Sequence, residues 1–94
     1  MIEILLSDLA VDQLKEMSAN AGRQMLDTLQ RLRVFPESAP RLMLEGYEDY
    51  RQVVIRPYRA IYRYLPQKEE VRVYCILHTR RHLPSPEFLE YQIF

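Results

Sequence analysis

With 94 residues, 48% of them apolar and 28% charged, the chain has room for one modest core, so it is predicted to be a single domain over 1–94 and not a disordered segment. No apolar run approaches the roughly 20 residues that span a bilayer, and the start, Met1-Ile2-Glu3-Ile4-Leu5-Leu6, lacks the basic stretch of a signal peptide. A formal charge of zero argues against a general nucleic-acid binder, and a lone cysteine, Cys75, excludes an internal disulfide and suits the reducing cytoplasm. In chain order, residues 2–6 form an apolar run closed by Ser7-Asp8, which predicts a first strand followed by a helix N-cap. Ala10, Leu14, Met17 and Ala21 then recur at helical spacing, and Asn20 and Gly22 break the pattern, so the first helix is expected to end near Ala19. Met25, Leu29 and Leu32, widened by Leu26 and followed by Phe35, predict a second helix that Pro36 stops.

From Pro36 to Asp49 the sequence is irregular, with Pro36, Pro40 and Gly46 as breaks. The remainder reads as β-structure. Tyr50 to Arg56 forms one strand, closed by Pro57. Tyr58 to Leu65 alternates, with Arg59, Ile61 and Arg63 on one face and Tyr58, Ala60, Tyr62 and Tyr64 on the other. After the polar turn Pro66-Gln67-Lys68-Glu69-Glu70, Val71 to Thr79 alternates again, with Val71, Val73, Cys75 and Leu77 on one face. Pro86 suits the first turn of a short helix ending near Tyr91. The expected class is α+β: an N-terminal strand and an α-helical hairpin packed on an antiparallel β-sheet, with a short C-terminal helix or tail, the other face of the sheet being left to that tail, to solvent or to a partner.

Charge is unevenly spread. Residues 1–50 hold nine acids and five bases, a net −4, whereas residues 51–94 hold four acids and eight bases, a net +4. Seven of those eight bases are arginines: Arg51, Arg56, Arg59, Arg63, Arg72, Arg80 and Arg81. Such forks grip phosphate or carboxylate bidentately.

Two segments carry a family resemblance. Tyr58-Arg59-Ala60-Ile61-Tyr62-Arg63-Tyr64 is similar to the central strand of the RelE/ParE toxin superfamily. Val71 through Leu83, with Leu77-His78-Thr79-Arg80-Arg81-His82, resembles its last strand and the arginine-bearing end that follows; Thr79 stands where a glycine is usual and His82 where an acid is usual. The resemblance covers essentially the whole chain and implies a growth-inhibiting toxin of a type II toxin–antitoxin system. It also implies a cognate antitoxin, ParD-like or RelB-like, as partner, with DNA contacted only through that antitoxin.

The superfamily holds two activities on one fold. ParE-like members inhibit DNA gyrase and serve in plasmid stabilization; RelE-like members cut mRNA at the ribosome as metal-independent endoribonucleases. Cutting needs a base, an acid and cations for the phosphorane. The RelE-type pattern implies lysines where this chain has Gln52 and Val54, and a tail tyrosine near Phe88, with Tyr91 three residues on. Arg59 and Arg81, or its neighbour Arg80, do match. For a nuclease the catalytic candidates are therefore Arg59, His78, Arg81 and His82, the histidines standing in as acid and base. For a gyrase inhibitor no catalytic residue is needed, and the target-binding candidates are Arg59, His78, Arg80, Arg81, Phe88 and Tyr91. The missing lysines favour gyrase. No metal site or cofactor is expected, since His78 and His82 have no Cys or carboxylate to join them. Cys75 is expected to be a small buried hydrophobe. A non-toxic binding module whose arginines meet an acidic partner is the remaining alternative.

Overall fold

The computed structural model describes all residues, 1–94. Strand β1 (Glu3–Leu6) leads into helices α1 (Asp8–Glu16) and α2 (Ala19–Gln30), the latter closed by a 3₁₀ turn at Arg31–Arg33. Strands β2 (Arg51–Ile55), β3 (Tyr58–Leu65) and β4 (Glu70–His78) follow, and the short helix α3 (Pro86–Glu90) ends the chain. The sheet order is β1-β4-β3-β2, with β2, β3 and β4 antiparallel and β1 parallel to β4. Parallel pairing of β1 follows from the helical hairpin, which carries the chain back across the sheet before β2 begins.

Ser7 is the joint between strand and helix. Its hydroxyl accepts from the Ala10 amide at 2.9 Å, capping α1, and donates to the Tyr74 carbonyl at 2.8 Å, while its own amide donates to the Val73 carbonyl. The hairpin turns at Met17-Ser18, earlier than the sequence suggests. Ser18 caps α2 through the Ala21 amide, so Asn20 and Gly22 lie inside α2 and the first helix ends at Glu16 rather than Ala19. A serine N-cap satisfies the orphan amides of a new helix, and this local gain outweighs the cost of an interior glycine.

Two apolar clusters lie on opposite faces of the sheet. The larger joins Ala10, Met17, Met25, Leu29 and Leu32 of the helices to Val53, Ala60, Tyr62, Val71, Val73 and Ile76. The smaller joins Leu42, Tyr50, Ile61, Tyr74, Cys75, Leu77 and Leu89, so of the covers the sequence allows, the tail takes this face, together with the 41–50 loop. Leu26 and Phe35 extend the helical stripe in sequence but stay exposed.

The expected alternation along β4 holds only for its first half. Ile61 pairs with Cys75 and Tyr62 with Val73, leaving Tyr74 as an extra residue in a β-bulge. Past it the faces exchange: Cys75 and Leu77 join the smaller cluster and Ile76 the larger. Cys75 therefore does not share a face with Val71 and Val73. It is fully buried all the same.

Candidate functional site

The candidate residues gather around the end of β4 and the turn that follows. His78 closes β4 opposite Tyr58, and their rings meet edge to face with centroids 5.9 Å apart. The turn is tied at several points. The Thr79 amide donates to the Pro57 carbonyl at 2.8 Å, the Arg81 amide to the His78 carbonyl at 2.9 Å, and the Arg80 amide to His78 Nδ1 at 3.1 Å. Accepting at Nδ1 places the neutral ring's proton on Nε2. Arg80, Arg81 and His82 are exposed on this turn. Beside it, Gln13, Glu16, Met17, Tyr58, Ile76, Leu77, His78 and Arg81 line a cleft of about 270 Å³ between α1 and the sheet. Gln13 forms its floor, its Oε1 accepting from the Ile76 amide at 2.6 Å where β1 has run out.

Arg59 comes to the same place from β3. One guanidinium nitrogen, Nη2, donates to the Arg81 carbonyl at 2.6 Å, and Nη1 to Gln52 Oε1 at 3.4 Å. Its Nε is buried without a partner. The structure thus ties Arg59 to the Arg81 backbone from the Ile61 face of the sheet, while His78 points to the α1 face, with Arg80, Arg81 and His82 in the turn between them. Phe88 and Tyr91 are set apart: both are exposed on and just after α3, and neither is hydrogen-bonded through its side chain or stacked to the turn.

Beyond the bulge residue the same face carries an arrangement that sequence did not announce. Tyr50 and Tyr74 meet edge to face at 5.2 Å, Tyr74 and Phe94 at 4.9 Å, and Arg63 and Arg72 lie over the outer rings of Tyr50 and Phe94 at 5.5 and 5.4 Å. Only the two rows of alternating arginine and tyrosine hint at it. Gln13 and Glu16 were also missed as cleft residues, because on sequence alone they sit on the polar side of a helix.

Cys75 is no nucleophile here. Burial pushes its thiol up to about 12, against which the Arg59 charge acts only partly. No three His, Cys, Asp or Glu side chains approach closely enough to hold a metal ion, and no helix is long and apolar enough to cross a membrane.

Comparison with known proteins decides the family. The family described as "ParE toxin of type II toxin-antitoxin system, parDE" matches residues 4–83. The chain belongs to this family. Solved structures share the toxin's fold at low identity. The isolated Escherichia coli RelE toxin matches with a TM-score of 0.72 and 19% identity, over 87% of this chain and 88% of RelE. The RelBE2 toxin–antitoxin complex of Mycobacterium tuberculosis gives 0.73 and 15%, over 82% and 96%. The archaeal RelE–RelB complex of Pyrococcus horikoshii gives 0.68 and 19%, over 86% and 98%. No curated protein sequence matches. The toxin's helical hairpin, nine and twelve residues long, packs on the sheet through Ala10, Met17, Met25 and Leu29.

Proposed function

We propose that this toxin is a cytoplasmic, ParE-like inhibitor of DNA gyrase, neutralised by a cognate antitoxin and reaching DNA only through it. One observation carries the reading. On the sheet face where RNA cleavage would need proton carriers, Gln52 and Val54 bear none, and the cation beside them, Arg59, already serves Arg81 and Gln52. Such a face binds but does not cut. Arg80 and Arg81 supply exposed forks for an acidic or phosphate-bearing target, and Phe88 and Tyr91 supply the exposed aromatic anchors that interfaces favour.

The test is pulse-labelling of DNA and protein synthesis just after the toxin is induced without its antitoxin. Gyrase inhibition predicts that DNA synthesis fails first, with filamentation. Early loss of protein synthesis with DNA synthesis intact would overturn it. If neither synthesis falls, the chain is a non-toxic binding module.

A second reading rests on the cleft. It holds a carboxylate, Glu16, an imidazole bearing its proton on Nε2, His78, and a guanidinium, Arg81. These are the parts of a metal-independent, ribosome-dependent mRNA endonuclease. Under this reading His78→Ala with His82→Ala abolishes growth arrest; under the gyrase reading the double variant stays toxic.

A further inference from the structure

We propose that Arg59 is a positioning residue, whose guanidinium holds the Arg80–Arg81 turn in the shape its target reads without touching the target. The proposal rests on the reading of Arg80 and Arg81 as contact residues. Three of the turn's bonds are made near its start, to Pro57 and His78. Past Arg81 the next tie is the Pro84 carbonyl, which accepts from the Tyr47 hydroxyl at 2.8 Å. Between them Leu83 packs against the smaller cluster, and the only hydrogen bond from the turn to the sheet is the charge-assisted one of 2.6 Å from Arg59 to the Arg81 carbonyl.

The geometry also leaves Arg59 poorly placed to clamp an outside anion. A side-on fork needs Nε, which is buried and has no partner. An end-on fork needs both Nη groups, and each already gives one of its two N–H donors to a protein oxygen. Leaving Nε unpaired is costly. That cost is sustained where the rest of the guanidinium does work that no shorter side chain can reach. A turn fixed in advance presents its arginines with little left to order on binding.

The experiment uses the intact toxin, Arg59→Met, Arg59→Lys, Arg81→Ala, and the double variant of Arg59→Met with Arg81→Ala. Methionine keeps the buried aliphatic stem and removes every donor; lysine keeps one charged donor. Trypsin cleavage after Arg80 and Arg81 is followed by mass spectrometry, with the melting temperature of each variant as a fold control. Arg59→Met is expected to speed cleavage there by about tenfold, as one charged hydrogen bond is lost, with Arg59→Lys largely restoring protection. Inhibition of gyrase supercoiling then forms a double-mutant cycle: Arg59→Met weakens it, but adds less once Arg81 is alanine and only Arg80 is left to position. Unchanged cleavage in Arg59→Met, or losses that multiply in the double variant, would overturn the proposal. Should Arg59→Met fold poorly, Arg59→Gln, too short to reach the Arg81 carbonyl, takes its place: faster cleavage than in the intact toxin supports the clasp, and an unchanged rate overturns it. A toxin that does not inhibit gyrase fails the functional reading alone, because proteolysis tests the clasp without any target.

Discussion

The two faces of the sheet are built on different terms. The face under the helical hairpin is largely apolar, and the hydroxyl of its largest fully buried side chain, Tyr62, donates to the Pro36 carbonyl at 2.9 Å. The opposite face has a smaller apolar cluster edged by arginines over aromatic rings, and its cover is a loop and a five-residue helix. The first face holds the fold together. The second keeps charge and exposed aromatics at hand, which a binding surface needs and a core does not.

If that division is right, damage to the first face should dominate stability. Tyr62 is fully buried in the larger cluster, so Tyr62→Ala should cost about 3–5 kcal/mol in urea unfolding. An equal or smaller loss than at the tail would break the comparison. On the second face Leu89 is the fully buried residue of α3, and Leu89→Ala should cost about 2 kcal/mol, since a short terminal helix can partly relax into the space.

Alkaline pH sharpens the same contrast. The Cys75 thiol has its pKa raised from 9.0 to about 12 in the folded toxin. The unfolded chain therefore gives up this proton first, so the contribution is whole below about pH 9 and is lost as pH rises toward 12. Tyr50 and Tyr62, raised above 10.0 chiefly by burial, steepen the fall at the upper end. Urea midpoints measured across this range should decline, and less steeply in Cys75→Ala; a flat profile would refute the buried thiol. The smallest effect on stability belongs to the exposed turn. Arg81→Ala should shift unfolding by less than about 0.5 kcal/mol and yet relieve growth arrest. A large loss of stability there would make Arg81 a structural residue.

Most of the fold was legible in the sequence because apolar spacing and proline positions act locally. Tyr58–Leu65 and the Pro86 helix lie where alternation and proline chemistry place them. The site was legible only as a set of residue types. That Arg59 bonds to the Arg81 carbonyl, 22 residues on, depends on strand register, which no local pattern records. The break between α1 and α2 went astray because Ser18, an unobtrusive serine, outweighs the more conspicuous Asn20 and Gly22. The exchange of faces at Cys75 went astray for a similar reason: one extra residue leaves no mark in composition.

That extra residue, Tyr74, sets the aim of the molecule. A strand alternating without interruption from Val71 would deliver His78 to the side of α3, and the arginine turn would leave the sheet among the tail residues. The half-step at Tyr74, fixed by the Ser7 hydroxyl on its carbonyl, sends His78 instead toward α1 and opens the cleft shared with Glu16. A matching extra residue in β3 opposite Tyr74 would erase the bulge, leave the length of β4 unchanged and turn its last three side chains to the opposite side. In such a toxin the sheet would still form, but its arginines would face the wrong way.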